Sequence, residues 1–453
     1  MSATMARLRG RPFRGGVHPS ENKELSWECR IETLPPPPVV QVPVLQHTGA
    51  PCSPVVKPKQ EVRAGDLLAD SSAFVSAPVH APVAGVVQRE TVATLPNGRH
   101  VKVIPIQTAA DQPTPEDLWA DVYGGEWPLD GVEAAEPSAI VSAIRAAGIV
   151  GQGGAAFPTH VKLTPNPAKP VDTVLVNGCE CEPYLTSDHR LMLEAPRPIV
   201  VGALLAARAC GARRVVAAVE DHKPDASAAL RAAADGAAFE AIELPTKYPM
   251  GGEKQTVRAA LGRTIPTGGL PLDVGVVVLN VATCAAIARA VLRGRPLTHR
   301  VVTVTGRGIR TPKNLLVPVG ASYADLLAAC GGLAPDAARV IAGGPMMGFS
   351  LGSFQAPVTK GTSGIVVLTA ADVRAVEETA CIRCGRCVDV CPLNLVPTRL
   401  ALAARHKDWT MARRFHITAC MECGCCAWVC PAAIPLVQLI RTGKVQMQKE
   451  AGA

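Results

Sequence analysis

Two runs of cysteine with identical spacing stand near the carboxyl-terminal end of the chain. The first is Cys381-x2-Cys384-x2-Cys387-x3-Cys391, followed by Pro392; the second is Cys420-x2-Cys423-x2-Cys426-x3-Cys430, followed by Pro431. Three cysteines at this spacing wrap a cubane from a tight loop, and the fourth sits on the helix that follows and points back across the module. This is the pattern of a two-cluster ferredoxin, in which the fourth cysteine of each run ligates the other run's cluster. The expected ligand sets are Cys381, Cys384, Cys387 and Cys430 for one [4Fe–4S] cluster, and Cys391, Cys420, Cys423 and Cys426 for the other. Zinc, usually held by paired CxxC knuckles, fits these runs badly. Cys425 breaks the spacing and reads as a bystander. The module is expected to be helical and to fill 370–445. Two such clusters pass single electrons, so something must load them.

Composition narrows the setting. The chain has 453 residues, which at roughly 100–200 per domain allows several domains. The longest apolar run, Val274–Ala288, is broken by Asn280 and is shorter than the ~20 residues of a membrane span. The basic start, MSATMARLRGRPFRGG, has no apolar core behind it and does not read as a signal peptide. The expected compartment is therefore the cytosol, where cysteines are free thiols or metal ligands. Cys29, Cys52, Cys210, Cys284 and Cys330 read as small buried hydrophobes. Net charge is +8 and aromatics are 4%, with no stacking platform, so no nucleic-acid partner is expected.

The rest of the chain divides by pattern. Residues 1–34 form an irregular extension, and Pro35–Pro38 stiffens a linker. Short apolar runs of period near two then predict a small barrel-sandwich-like β domain over 35–125. Its APVHAPVAGVV segment resembles the hairpin of biotinyl and lipoyl domains without the carrier lysine. Over 135–295, apolar strands (173–177, 214–220, 239–244, 274–280) alternate with Ala-rich helical stretches. That alternation predicts a Rossmann-like parallel sheet covered on both faces. A small α+β unit follows over 297–360.

Four turns in the central region carry the polar chemistry. Gly151-Gln-Gly153-Gly154-Ala-Ala-Phe157, with Lys162 behind it, formally matches a dinucleotide fingerprint but follows a helical stretch rather than a strand. Bare glycines let a backbone approach a flat or phosphorylated cofactor, and Lys162 suits a phosphate. An ordinary glycine turn with a solvated lysine is an equal reading of these residues alone. Asn177-Gly-Cys179-Glu180-Cys181-Glu182 ends a strand, where open α/β sheets bind ligands. Asn177 suits a heterocycle edge and the two acids a ribose or amide; a solvated acidic loop is the equal alternative. Cys179-x-Cys181 has too few ligands for a metal site. Lys247-Tyr248-Pro-Met-Gly-Gly-Glu253 and Asn280-Val-Ala-Thr283 again stand where strands turn into helices.

In combination these segments resemble the RnfC family, one component of the Rnf ion-translocating electron-transport complex. The resemblance runs in order through FRGGVHPSENKELS (13–26), QHTGAP (46–51), Gly151–Leu163, VNGCECEPYLTSDHRLMLE (176–194), KYPMGGEKQ (247–255), LNVATCAAIARAV (279–291) and both cysteine runs. The central motifs are similar to those of the flavin- and NADH-binding subunit of respiratory complex I. Cys179, Gly252 and Leu279 stand where that subunit has Asp, Glu and Asn.

The resemblance implies a multidomain α/β chain: barrel-sandwich, Rossmann-like flavin domain, β-grasp-like SLBB unit and helical ferredoxin-like 2[4Fe–4S] domain. It implies FMN lined by Gly151, Gly153, Gly154, Lys162, Asn177, Glu180, Tyr248, Asn280 and Thr283. Phe157, Glu182 and Glu253 would face NADH. Hydride would pass from NADH to FMN, and single electrons through both clusters to partner subunits, some of them integral to the membrane. No side chain need act as acid or base. The complex would link NADH and ferredoxin or flavodoxin to ion translocation, with this chain held by partners at the cytoplasmic face of the bacterial inner membrane. Two other readings share features: a soluble cobalamin reductase, opposed by the N-terminal β domain and the terminal position of the clusters, and an iron–sulfur relay protein that binds no nucleotide.

Overall fold

The computed structural model describes residues 13–373 and 376–451. The basic segment at the start of the chain, through residue 12, lies outside the described residues.

The first unit is a small β sandwich. Strands Val39–Pro43, His100–Thr108, Gly85–Val87 and Glu61–Val62 form one sheet, with Thr91–Thr94 added on His100–Thr108. Ser53–Pro54, Leu67–Asp70 and Val79–His80 form the other. Val40, Val42, Leu68, Val79, Ile104 and Ile106 fill the space between them and are fully buried. The strands are short because Gly and Pro break nearly every run. Helices Pro115–Val122 and Asp130–Ala134 then lead to the central domain.

The central sheet has four parallel strands: β1 (Thr173–Asn177), β2 (Arg214–Glu220), β3 (Phe239–Leu244) and β4 (Val276–Asn280). Helices α1 (Ser187–Glu194), α2 (Pro196–Cys210), α3 (Pro224–Ala234), α4 (Glu253–Leu261) and α5 (Val281–Arg293) connect and cover them. Alternate residues of β1 enter different cores: Val174 and Val176 meet α2 and α5, while Leu175 joins Val257 of α4 and Val278. Burial on both faces explains why β1, β2 and β4 read as apolar runs, while β3, at the sheet edge, carries Glu240 and Glu243. Gly202 lets α2 and α5 cross at backbone contact, since a Cβ there would stand 1.7 Å from the Cys284 carbonyl oxygen.

The strand order is β3-β2-β1-β4. The chain steps outward from β1 to β3, then returns to lay β4 on the opposite side of β1. The carboxyl ends of β1 and β4 therefore form the topological switch point, where an open parallel sheet leaves a ligand crevice.

Strands His299–Thr305, Lys313–Pro318, Ala337–Ala342 and Phe349–Ser350 build the next sheet under helix Tyr323–Ala329. That helix starts with a reciprocal capping box between Ser322 and Asp325. The same sheet takes in two distant segments, Ile31–Thr33 at one edge and Gly364–Thr369 in the middle.

The last unit is a helical module. Helices Pro397–Arg405, Trp409–Arg414 and Leu436–Ala451 pack around Leu400, Ala403, Ala412, Ile417, Leu436 and Ile440. The two cysteine runs repeat one backbone pattern. Arg383 and Glu422 are left-handed (φ +57° and +60°), as are Gly385 and Gly424 (φ +78° and +86°). One short helix follows each glycine, Arg386–Asp389 and Cys425–Trp428. Among the described residues no helix is long and apolar enough to cross a membrane.

Candidate cofactor sites

Each cysteine run contributes to two cavities. The larger, of about 700 Å³, is lined by Cys381, Cys384 and Cys387 of the first run and by Cys430 of the second. The smaller is lined by Cys391 of the first run with Cys420, Cys423, Cys425 and Cys426 of the second. Among the described residues no three Cys, His, Asp or Glu side chains converge closely enough to hold a single metal ion. The four thiols of the first cavity instead stand around an open volume. That volume has room for a multi-iron cluster held by these four cysteines.

The cavities differ in surroundings. Cys381 and Cys384 are exposed to solvent. The second cavity is pressed against the central domain. Tyr248 is 3% exposed and donates its hydroxyl to the Cys423 carbonyl at 2.7 Å. Tyr248, Cys423, Cys425, Met346 and Met421 share one apolar cluster. Gly424 packs so closely on the Met346 carbonyl that a Cβ there would stand 2.6 Å away. Cys425 is fully buried among them, its thiol 4.0 Å from the Tyr248 carbonyl.

The glycine-rich turn lies beside the switch point. Gly151 N–H donates to the Phe157 carbonyl (2.9 Å) and closes the loop. Gln152 N–H donates to the Thr283 hydroxyl (2.9 Å) and Gln152 Nε2 to the Ala282 carbonyl (2.9 Å), which pins the loop to the start of α5. From the sandwich unit, Thr48 donates its N–H to the Ala156 carbonyl (3.1 Å) and its hydroxyl to the Ala155 carbonyl (3.2 Å). The N–H groups of Gly153, Gly154 and Ala155 have no protein partner among the described residues. Gly154 has φ +109°, and a Cβ there would meet nothing within 4 Å. A loop fixed at both ends, with N–H groups that have no protein partner among the described residues, fits a phosphorylated or planar ligand.

Several polar residues converge on the same edge. Asn177 donates to the Gly251 carbonyl at 2.8 Å, and Asn280 donates to Asp188 at 2.6 Å while capping α5 through Ala282 N–H. Lys162 donates to Glu253 (2.6 Å) and to the Val278 carbonyl (3.2 Å). Glu180 accepts from the N–H groups of Asp188 (2.7 Å) and His189 (3.2 Å) and so caps α1. Two residues point elsewhere: Tyr248 turns into the iron–sulfur module, and Glu182 accepts from Met346 and Met347 N–H at 3.1 and 2.9 Å. Loss of solvent pushes the Glu182 carboxyl up to about 7. Asp188 is likewise pushed up to about 7, by burial and by the neighbouring Glu180 charge.

Sequence reasoning passed over the groups that hold this loop in place. Lys23 is buried and donates to the carbonyls of Glu180 (2.9 Å), Glu182 (3.0 Å) and Leu185 (2.5 Å). Lys223, equally buried, donates to the Cys179 carbonyl and lies 3.6 Å from Glu220. Between them the chain runs through left-handed Glu180 and Tyr184 (φ +46° and +71°), a shape that non-glycine residues hold only under support. Arg300, fully buried, donates to the Lys360 carbonyl at 2.6 Å. Lys360 donates to the carbonyls of Pro78 (2.6 Å) and Gly148 (2.7 Å), joining the sandwich unit to the central domain. The one available signal was the ENKELS segment around Lys23; Lys223, in EDHKPD, looks like any loop lysine.

Four family models match the chain in order: an RnfC barrel sandwich hybrid domain (residues 11–111), a Nuo51 FMN-binding domain (144–289), an SLBB domain (301–350) and a 4Fe-4S dicluster domain (380–434). Three similar proteins are each the C component of a multi-subunit complex. That of a proton-translocating ferredoxin:NAD(+) oxidoreductase complex from Clostridium ljungdahlii is 43% identical over 390 residues, 86% of this chain and 84% of the relative. That of an ion-translocating oxidoreductase complex from Rhodobacter capsulatus is 42% identical, covering 98% of this chain and 84% of the relative. That of a Na(+)-translocating ferredoxin:NAD(+) oxidoreductase complex from Acetobacterium woodii is 40% identical, covering 88% of each.

Proposed function

The chain belongs to the RnfC family of the ion-translocating oxidoreductase complexes, and on that premise we propose that it is the NADH-oxidising subunit that feeds the rest of its complex with single electrons. Its FMN-binding and 4Fe-4S dicluster domains make it a flavin and iron–sulfur electron-transfer protein. The finer reading is carried by one observation: the Tyr248 turn, at the same edge of the central sheet as Asn177, is joined to the inner cysteine-lined cavity by a buried hydrogen bond from Tyr248 to the Cys423 carbonyl.

When bound, FMN would take electrons in pairs from NADH and release them singly to two [4Fe–4S] clusters. This chain's residues would set the geometry. Gly151, Gly153 and Gly154 would leave room for the flavin, and Asn177 and Asn280 would offer amides at the switch point. Lys162 would bring positive charge to the phosphate side while Glu253 holds it in place at 2.6 Å. Glu180, through α1, and Thr283, through Gln152, would keep those elements in register. Phe157 and Glu253 would border the nicotinamide dinucleotide, while Glu182 is engaged by the Met346 and Met347 N–H groups. Cys391, Cys420, Cys423 and Cys426 would hold the inner cluster, next to the central domain. Cys381, Cys384, Cys387 and Cys430 would hold the outer one.

The reading places the chain at the cytoplasmic face of a bacterial inner membrane, retained by integral partners. Ferredoxin or flavodoxin would be reached through the complex, and the exchange with NAD(H) would be coupled to ion movement. The test uses the reconstituted chain with its iron and flavin. NADH should bleach the flavin absorbance and drive ferricyanide reduction. Flavin that binds without bleaching leaves a relay protein; iron and sulfide with no retained flavin removes the reading altogether.

A further inference from the structure

The segment from Phe13 to Ser26 runs across three other parts of the fold. Phe13 is buried among Leu175, Val216, Ile242 and Met250 of the central domain, and its carbonyl accepts from Lys247 Nζ at 3.0 Å. Gly16 donates its N–H to the Val390 carbonyl at 2.8 Å, one residue before Cys391. Val17 and Tyr248 exchange both backbone hydrogen bonds, at 2.8 and 3.0 Å, in an antiparallel bridge. Farther on, the Glu21 carbonyl accepts from Tyr184 N–H at 2.7 Å, and Lys23 holds the carbonyls of Glu180, Glu182 and Leu185. Two consecutive glycines let the segment pass. Gly15 and Gly16 are both left-handed, at φ +75° and +80°. A Cβ on Gly15 would stand 2.8 Å from the Cys391 carbonyl carbon and oxygen, and one on Gly16 would stand 2.6 Å from the Tyr248 carbonyl oxygen. These neighbours are backbone atoms, so bare main chain alone fits between the cysteine run and the Tyr248 turn.

We propose that this strap is a positioning element for electron transfer within the chain: Gly15, Gly16 and Val17 set the separation between the inner cluster and the flavin. The inference rests on the flavin and two-cluster reading above and adds the residues that fix the gap. One side of the strap meets the run that supplies Cys391 to the inner cavity. The other side pairs with the turn that Asn177 ties to the switch point through the Gly251 carbonyl. Val17 packs in the same apolar cluster as Tyr248, Cys423 and Cys425, which closes the gap from within. Transfer between two centres slows steeply as they separate, and a misplacement of about 1 Å by a residue remote from the reacting atoms is enough to be felt. A spacer of hydrogen-bonded main chain has one thickness, whereas a side chain in its place would bring rotamers and slack. Lys23 anchors the far end of the same strap on the loop that carries Glu180, so the cluster side and the flavin side are held by one continuous piece of chain.

The experiment uses the full reconstituted chain with its iron and flavin, and compares Gly15→Ala, Gly16→Ala and Val17→Ala with the parent. Arg14→Ala, at an exposed position of the strap, is the control. Flavin and iron content report that each variant is loaded. Rapid mixing with NADH separates bleaching of the flavin from the later reduction of the clusters. Bleaching should keep its rate, while cluster reduction should slow by about tenfold in both glycine variants and by less in Val17→Ala. After dithionite reduction, Gly15→Ala should also shift the paramagnetic signal of one cluster, the one a Cys391→Ser variant lacks, and leave the other unchanged. Cluster reduction at the parent rate in loaded variants, or bleaching slowed to the same degree, would overturn the proposal. Where the added methyl of Gly15→Ala costs the chain its iron, Val17→Ala, which adds no bulk, decides by the same two rates. The dithionite signal needs no nucleotide, so the two readings are scored apart. A flavin that NADH never bleaches removes the dehydrogenase, while a shifted signal in Gly15→Ala still keeps the strap and an unshifted one removes it.

Discussion

Asn177 and Asn280 occupy the same register position on two neighbouring parallel strands, the last residue of each. Their side-chain amides leave in different directions, one to the Gly251 carbonyl and the other to the Asp188 carboxyl. The pair thus ties the KYPMGGEKQ turn and helix α1 to one point on the sheet, where the strand order reverses. Asn280 also caps α5 by accepting from Ala282 N–H at 2.9 Å. Asn280→Ala should therefore cost about 1 kcal/mol in the cap and leave Asp188 without its amide. Flavin affinity is expected to fall roughly tenfold with the fold retained. Fluorescence titration of the flavin-free chain with FMN measures it; unchanged affinity would separate this edge from the flavin site.

Two glycines distinguish site from scaffold. At Gly154 an added methyl meets no neighbour but must adopt φ +109°. Gly154→Ala should cost about 1 kcal/mol of local strain and perturb FMN binding while the melting curve stays cooperative. At Gly202 the methyl collides with the Cys284 carbonyl oxygen at 1.7 Å, a backbone atom with no freedom to move aside. Gly202→Ala should force α2 and α5 apart and lower the melting temperature of the whole domain. Overpacking costs typically about 1–3 kcal/mol, and more where backbone cannot yield. Thermal melts of the two variants should rank in that order.

The legible parts of the fold were those fixed by local pattern. Strands Thr173–Asn177 and Arg214–Glu220 coincide with the sequence reading, since burial on both faces writes an apolar run, and Phe239–Leu244 coincides although Glu240 and Glu243 interrupt it at the sheet edge. Helix Ser187–Glu194 was passed over because its polar start, SDHR, carries no apolar period and its cap is Glu180, seven residues upstream. Strands Ile31–Thr33 and Gly364–Thr369 gain their identity from partners far along the chain, which no local window contains. Lys23, Lys223 and Lys360 look like surface residues in sequence; only tertiary structure supplies the carbonyls that bury them. The cysteine runs were legible for the opposite reason, since a cluster loop must be spaced within a few residues.

Lys360 gives the fold a pH dependence with a definite sign. It is fully buried with carbonyl partners only, and desolvation lowers its pKa to about 7. A depressed base binds fewer protons folded than unfolded, so its contribution to stability rises as pH climbs from 7 toward 10.5 and is lost as pH falls through 7. Lys360→Met removes that linkage and strands the Pro78 and Gly148 carbonyls, at about 1–3 kcal/mol. The variant should be less stable than the parent at pH 9, with a smaller gap at pH 6. Melting temperatures at the two pH values decide it; a gap that narrows toward alkaline pH would contradict the assignment.

The two cysteine runs cross between the cavities. Cys391 belongs to the first run in sequence but lines the cavity of the second, and Cys430 does the reverse. If each cavity holds one cluster, Cys391→Ser should damage the cluster of the buried cavity, the one that touches Tyr248. Cys430→Ser should damage the exposed one. Each variant should lose about half of the iron, and they should differ in which paramagnetic signal disappears on reduction. Tyr248→Phe then identifies the inner cluster independently. Removing the 2.7 Å bond to the Cys423 carbonyl should alter the potential or chelator resistance of one cluster only. That cluster should be the one missing from Cys391→Ser and intact in Cys430→Ser. The same signal lost in Cys391→Ser and Cys387→Ser would show that each run instead encloses its own cluster, and the crossed ligand sets would fall.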